Sequence, residues 1–252
     1  MRRIAVTLDA FEVSAQALEH AVRLAERMGA QLEGIFIEDI DLIEISALPF
    51  LREVRTVSRS ENAIDLARME QELRVLARRA ERLLSEQAAR HNVAWSFRIW
   101  RGSIDSDLLA ADIEADVLAL SRLGAALTGG KASRSRSTAV TVLYTGTDAS
   151  MRALDTARNL AAEPQKELIV LLPAEDEAEA ESLREMAAHR LGQDAARAHF
   201  IRLTDGALSD LMEILTDTSS AVLIIERDHS LLQSPSLKHC LSRLDCPLLV
   251  VR

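Results

Sequence analysis

The residues best suited to chemistry lie in the segment LGAALTGGKAS (123–133), which combines three glycines with a lysine. Glycine lets a backbone approach a phosphate closely and adopt a positive φ, and successive N–H groups can then bind an anion. The spacing of Gly124, Gly129, Gly130 and Lys131 comes close to that of a phosphate-binding loop. However, one extra residue precedes the Gly-Lys pair, and an alanine replaces the hydroxyl residue that would hold magnesium. The segment is a candidate phosphate contact without the complete motif.

Asp9 is the second candidate, because it follows the apolar stretch IAVTL (4–8) and a helical pattern follows it. A carboxylate at the end of a strand could bond to a ribose or an adenine, and capping of a turn or helix explains it equally well. Ile37, together with Glu38 and Asp39, ends the next apolar stretch and could line the same cleft.

The pattern around Asp9 occurs twice. VTLDAFEVSAQALEHAVRLA (6–25) aligns without gaps on VLYTGTDASMRALDTARNLA (142–161), with Thr145 in the place of Asp9. The shared Ala and Leu positions follow the spacing of one helix face. A period above 100 residues indicates a duplicated domain rather than a solenoid unit.

The composition limits the fold and the partners. The apolar fraction is 48% with only 3% aromatics, which favours aliphatic cores between helices and a parallel sheet. The net charge of −9 argues against nucleic acid or an anionic membrane as the main partner. No apolar run is long enough to span a membrane, no signal-peptide core begins the chain, and the two cysteines fit a reducing compartment. We therefore expect a cytoplasmic protein.

Strand-like and helix-like patterns alternate along both copies, which predicts an α/β fold of two tandem, doubly wound parallel sheets. The first repeat is predicted at 1–130, the linker at 131–138 and the second repeat at 139–252. The first repeat contains an inserted segment at 40–60 and a long helix at 61–90.

Several segments together resemble the universal stress protein family. LDAFEVSAQAL and YTGTDASMRAL are similar to its strand, Asp-Gly-Ser-like turn and Ala-Leu helix; CPLLVVR (246–252) is similar to its closing strand. GSIDSDLL and DGALSDLM are similar to its glycine turn before the third helix. The resemblance covers nearly the whole chain as two copies, and it implies a Rossmann-like fold and a role in the stress response.

The resemblance also implies a nucleotide site, from which both repeats depart. Members that bind nucleotide have two glycines three apart, then nine residues, then Gly-Ser or Gly-Thr. The second repeat has RDHSLLQSPSLKHCL (227–241) there, and Gly206 is the last glycine of the chain. In the first repeat, the glycine spacing is wrong and the fourth helix and fifth strand of the family are missing. Both sites are therefore predicted to be degenerate.

No constellation for catalysis is found. The six histidines show no metal-ligand spacing, and Cys240 and Cys246 match no zinc or redox motif. We expect a non-catalytic stress-response protein without cofactor or metal. The alternative is a regulator that binds ATP or AMP in the cleft around Asp9, Ile37, Gly124 and the Gly129–Lys131 segment.

Two apolar segments must be covered. The strand at 246–251 would be an exposed edge unless another chain or the first repeat pairs with it. The segment LIEISALPFL (42–51) lies outside the minimal fold; it packs under the long helix or contacts a partner. We expect protein partners, including a homodimer through one of these segments.

Overall fold

A computed structural model describes most of both repeats. The described residues are 2–8, 15–39, 52–54, 61–63, 66–102, 114–120, 139–162, 166–203, 208–218, 220–233 and 246–252. The linker at 131–138 and most of the inserted segment lie outside these ranges, as do 103–113 and 234–245.

The first repeat alternates strands and helices around a hairpin-like insertion. Its elements are β1 (Arg3–Leu8), α1 (Ala15–Met28), β2 (Gln31–Asp39), β3 (Arg52–Val54), β4 (Glu61–Ala63), α2 (Leu66–Arg90), β5 (Trp95–Gly102) and β6 (Val117–Leu120).

The second repeat follows the same order without the insertion. Its elements are β7 (Ala139–Leu143), α3 (Asp148–Ala161), β8 (Glu167–Pro173), α4 (Glu177–Leu191), a 3-10 helix (Gly192–Arg197), β9 (Ala198–Leu203), α5 (Leu208–Asp217), β10 (Ser220–Glu226), the short α6 (Ser230–Gln233) and β11 (Leu248–Val251).

The predicted start of the long helix at residue 61 is wrong. Residues 61–63 form β4, which pairs antiparallel with β3, and α2 begins at Leu66. In this pairing, the backbone N–H and C=O groups of residues 61–63 bond with β3, so they need no partners within a helix. Asn62 also has a lower helix propensity than the Ala-, Leu-, Glu- and Arg-rich sequence that follows Leu66.

One continuous sheet of nine strands joins the two repeats, in the order β5-β2-β1-β6-β11-β10-β7-β8-β9. Within each repeat the neighbouring strands are parallel, which confirms the predicted α/β class. The order β5-β2-β1-β6 mirrors β9-β8-β7-β10, which is the arrangement that the predicted pseudo-twofold requires. The odd strand, β11, breaks this symmetry.

β11 lies at the centre of the sheet. It runs parallel to β10 of its own repeat and antiparallel to β6 of the first repeat, with Leu249 opposite Ala119. All four β11 residues are buried. The first repeat therefore covers this strand, which was one of the two predicted outcomes. The 246–251 segment has no free edge left for a dimer, and the alternative contact at 42–51 lies outside the described residues.

The duplicated Ala-Leu pattern packs α1 and α3 against the same face of the sheet. Ala17, Ala21, Ala153 and Ala157 are fully buried, together with the leucines that accompany them. The two helices also contact each other, and the Arg27 guanidinium of α1 donates to a main-chain oxygen of α3, that of Asn159. One helix pair thus closes the core across the junction between the repeats.

The sheet separates two apolar clusters. One contains α1 to α4, and the other contains α5 together with the opposite side chains of the same strands. Gly34 of β2 allows α2 to pack closely, because a β-carbon there would lie 2.5 Å from Leu84 Cδ2. None of the helices within the described ranges has the length and hydropathy of a membrane span.

We predict that β11 couples the stability of the two repeats. Leu249 is fully buried and contacts the core on both sides of the junction, so Leu249→Ala should reduce the free energy of unfolding by about 3 kcal/mol. Both tryptophans, Trp95 and Trp100, lie in β5 of the first repeat, so their fluorescence reports on that repeat alone. The urea midpoints from fluorescence and from far-UV circular dichroism should fall together.

Ile99→Ala is the matched control, because this side chain is 49% exposed on the edge strand β5 and should contribute less than about 1 kcal/mol. A fluorescence midpoint that stays unchanged in Leu249→Ala would show that the repeats unfold independently.

Candidate functional site

Most of the predicted site residues cannot be placed. Asp9, Gly124, Gly129, Gly130 and Lys131 lie outside the described residues, so their proposed grouping stays a prediction. Ile37 lies in β2, where it is 2% exposed and belongs to the apolar cluster on the α5 side of the sheet. Its side chain fills the core.

The acidic end of β2 forms an ion pair rather than an open cleft lining. Glu38 is 4% exposed, and its Oε2 accepts a hydrogen bond from Arg101 Nε of β5 at 2.5 Å. This bond is the main reason that the pKa of Arg101 is raised above its ordinary value. A second pair, Arg98 Nε to Glu33 Oε1 at 3.0 Å, joins the same two strands. These pairs hold the edge strand β5 in place.

In the second repeat, β7 and β10 are parallel neighbours, so their carboxyl ends lie at the same edge of the sheet. In doubly wound sheets this is the ligand position, because the chain leaves β7 toward β8 on one side while β10 lies on the other. We call this position, where the Thr145 and Glu226 side chains are hydrogen-bonded to each other, the second crevice. Glu226, the last residue of β10, is 6% exposed there.

Two threonine hydroxyls hold the Glu226 carboxylate. Thr145 Oγ1 donates to Glu226 Oε1 at 2.7 Å, and Thr147 Oγ1 donates to Oε2. Thr147 is also the N-cap of α3, since its Oγ1 accepts from the Ser150 N–H at 3.0 Å. A hydroxyl can donate once and still accept, so the bonds are compatible. The carboxylate lies at the N-terminus of α3, where the helix dipole stabilises negative charge.

Gly146 makes this arrangement possible. Its φ is +79°, a conformation that side chains rarely adopt, and a β-carbon there would lie 2.9 Å from Leu183 Cδ2 of α4. The turn Thr145-Gly146-Thr147 can therefore bring both hydroxyls to one carboxylate while α4 packs closely above it.

His229 lies beside the same carboxylate. Burial lowers the pKa of His229, and the charge of Glu226 opposes that shift in part. The Leu231 N–H donates to His229 Nδ1 at 3.2 Å, which requires that nitrogen to carry no proton. The histidine is therefore neutral near pH 7.

Strand register relates Glu226 to a position of the first repeat. Val142 of β7 pairs with Ile224, and the matching Val6 of β1 pairs with Ala119, so Glu226 corresponds in sequence to Ser121, which lies outside the described residues. The first repeat thus has Asp9 and Ser121 in sequence where the second has Thr145 and Glu226. Sequence reasoning missed Glu226, although a lone acid at the end of the apolar run AVLIIE was a visible signal.

Both carboxylate oxygens of Glu226 already accept hydrogen bonds from threonine hydroxyls. Among the described residues, no group of three or more His, Cys, Asp and Glu side chains is placed to hold a metal ion. Cys246, at the start of the closing strand segment, is buried and is not in a disulfide with any described residue. The suggested pair His239 and Cys240 lies outside the described ranges.

We predict that a carboxylate at position 145 is unfavourable while Glu226 is present. Thr145→Asp would place a second carboxylate beside Glu226, so like-charge repulsion should destabilise the protein by about 2 kcal/mol at neutral pH. Adding Glu226→Ser recreates the combination of the first repeat and should restore most of the loss in a double-mutant cycle of urea unfolding.

Thr145→Asn is the control of equal size without charge, and it should change the stability by less than about 1 kcal/mol. The loss in Thr145→Asp should shrink as the pH falls, because one of the two carboxyls then takes up a proton. Additive effects of Thr145→Asp and Glu226→Ser would contradict the direct contact.

We also predict an acid-dependent loss of stability from His229. Its pKa in the folded protein is lower than in the unfolded chain, so the unfolded chain binds more protons once the pH falls below the ordinary value of 6.5. Its contribution is therefore present above that value and lost below it. His229→Gln should flatten the dependence of the unfolding free energy on pH in this range, whereas the exposed control His199→Gln should leave it unchanged.

Comparison with known proteins bears on the fold. No protein-family profile and no curated protein matches the sequence significantly. Among solved structures, a universal stress protein from Archaeoglobus fulgidus DSM 4304 aligns with 98% of this chain and 96% of its own, at 12% identity and a TM-score of 0.56.

Two further structures align over the full length but less closely. A putative universal stress protein from Pseudomonas aeruginosa UCBPP-PA14 covers 100% of this chain and 93% of its own, at 12% identity and a TM-score of 0.47. The cytoplasmic domain of a prokaryotic cation chloride cotransporter covers 99% and 94%, at 10% identity and a TM-score of 0.46. Of these three structures, only the first has a TM-score above 0.5. It shows that the chain has a Rossmann-like α/β fold of the kind found in universal stress proteins.

Proposed function

We propose that this chain is a non-catalytic protein of the stress-response type that acts through protein contacts and holds no nucleotide in the universal stress protein manner. The fold, with its two repeats in one sheet, supports the comparison with that family. The observation that carries the proposal is the buried Glu226 carboxylate in the second crevice.

A carboxylate at this position opposes nucleotide binding electrostatically. Two unit charges 4 Å apart interact by about 4 kcal/mol at the effective dielectric constant of a protein surface. A micromolar complex needs a favourable binding free energy of about 8 kcal/mol in total. Repulsion between Glu226 and even one phosphate charge would therefore offset about half of what such a complex requires.

Three donors at this position are also engaged. The Ser150 N–H at the start of α3 bonds to Thr147 Oγ1, and both threonine hydroxyls bond to Glu226. Helix N-termini bind phosphate through such free N–H groups. The chain has no glycine after Gly206, so the segment that follows β10 cannot build the family's glycine cradle either.

The first repeat is the alternative site for ATP or AMP. Asp9 and the Gly129–Lys131 segment would be its contacts, and its sequence has no carboxylate at position 121 to repel a phosphate. The proposal also includes protein contacts of the first repeat, among them a homodimer through the 42–51 segment.

Calorimetric titration with ATP and AMP, with and without magnesium, tests the proposal. We expect no saturable binding in the micromolar range. Binding that Asp9→Ala abolishes would favour the nucleotide-binding alternative in the first repeat. If the unmodified chain binds nucleotide and Glu226→Gln strengthens that binding, the nucleotide lies in the second crevice and the proposal for that crevice is overturned. Ser121→Glu, which copies the second repeat into the first, should remove any residual affinity of the first repeat.

A further inference from the structure

The edge strand β5 exposes apolar side chains at one end of the nine-stranded sheet. Among the described strands it pairs only with β2. Ile99 is 49% exposed and Trp95 is 37% exposed. Two of the four exposed large apolar side chains in the described part of the chain therefore lie on this one strand.

The backbone of β5 also has one side that does not face β2. The Leu32 N–H of β2 donates to the Ala94 carbonyl, and Leu32 lies opposite Trp95. In a parallel pair, a residue bonds to the two neighbours of the residue opposite it. The even-numbered residues of β5 therefore direct their N–H and C=O groups toward β2, and the odd-numbered residues from 95 to 101 direct theirs away. These outward groups form a template for one more strand.

Strand register matches β5 to β9, the edge strand of the second repeat. Starting from the equivalent first strands β1 and β7, the lateral neighbours lead to Phe97 in one repeat and to Phe200 in the other. Two residues further along, Ile99 of β5 occupies the position of Arg202 of β9. The first repeat thus has an apolar side chain where the second repeat has a cation.

Charged side chains protect the edge at β9. Arg202 Nη1 lies 2.9 Å from Glu177 Oε2, and the Arg184 guanidinium lies 5.7 Å from the centre of the Phe200 ring. The Glu177 side chain is 84% exposed, so a strand added at this edge would remove a hydrated ion pair from water. That desolvation opposes pairing.

The two arginines of β5 do not protect its edge to the same extent. Arg98 Nε lies 3.0 Å from Glu33 Oε1, and Arg101 Nε lies 2.5 Å from Glu38 Oε2. Both carboxylates belong to β2 and are only 15% and 5% exposed. The carboxylates are therefore already desolvated within the chain, and each balances the charge of one arginine.

We propose that β5 pairs antiparallel with β5 of a second copy of this chain, about a two-fold axis at Ile99. In this register, the outward backbone groups of Ile99 bond to those of Ile99 in the second copy. Phe97 then lies opposite Arg101, and Arg98 lies opposite Trp100. No two cations face each other, and each guanidinium faces an aromatic ring. An axis at Arg98 would instead set two arginines opposite each other, which is unfavourable.

A second copy joined through β5 fits better than one joined through β9. Pairing β5 with β9 of another copy would bury the Arg202–Glu177 pair and leave a free edge at each end, so the assembly would not close. The two-fold pairing closes with only the protected β9 edges outside. The inference goes beyond the proposed function, because it assigns a surface other than the 42–51 segment and does not depend on nucleotide binding.

Sedimentation velocity of the full chain over a range of concentrations tests this pairing, and we expect a reversible dimer. Ile99→Arg, which copies β9, should weaken the dimer by at least about tenfold, because it sets two cations opposite each other at the axis. Met186→Arg is the matched control, since it makes the same change at a side chain that is 44% exposed on α4, and it should leave the dimer unchanged. Both tryptophans of the chain lie in β5, so their emission should shift as dilution dissociates the dimer.

A disulfide across the axis tests the register directly. In a Cys240→Ser chain, Ile99→Cys should cross-link rapidly under mild oxidation, because opposite Cα atoms of a hydrogen-bonded antiparallel pair lie about 5.5 Å apart. Ser96→Cys is the control on the same strand. Its two copies would be separated by six residue steps, or about 20 Å, and should not cross-link.

A chain that stays monomeric at every concentration would overturn the proposal, as would a dimer that survives Ile99→Arg or is weakened equally by Met186→Arg. A dimer that Phe50→Asp abolishes and Ile99→Arg does not would belong to the 42–51 segment. Equal cross-linking of Ile99→Cys and Ser96→Cys would contradict the register. Far-UV circular dichroism identifies any variant that fails to fold, and none of these outcomes changes the nucleotide titrations that test the proposed function.

Discussion

The antiparallel pairing of β6 with β11 is the contact on which the arrangement of the two repeats depends. A four-residue strand of the second repeat completes the backbone hydrogen bonding of the first repeat and fills the place next to β6. Buried strands on either side leave no exposed edge at the junction, so the apolar segment LLVV contributes to both cores at once. The two repeats are joined by a strand, and α1 and α3 then close the same junction from one face.

This junction also sets where ligands could approach. Because β6 and β11 are antiparallel, the carboxyl ends of the first repeat's strands and those of the second repeat's strands lie at opposite edges of the sheet. The carboxyl ends of β6 and β10 therefore point in opposite directions.

The second crevice is filled by polar groups of the chain itself. The Thr145-Gly146-Thr147 turn has a positive φ at Gly146. Its two threonine hydroxyls donate to the Glu226 carboxylate. A buried carboxylate that accepts two hydrogen bonds at a helix N-terminus is stabilised without a ligand.

The sequence by itself determined the α/β class and the bounds of many elements, because these depend on local periodicity. The strands at 31–39, 167–173 and 198–203 have the bounds that their apolar patterns indicate. It also indicated the loss of the glycine cradle, which is a matter of composition. Tertiary structure alone decided that β11 lies against β6, because strand pairing between residues more than 100 positions apart leaves no local pattern. The same holds for Glu226: whether an acid at the end of an apolar strand meets solvent, a cation or two threonines depends on the register of β10 against β7, and only the folded sheet sets that register.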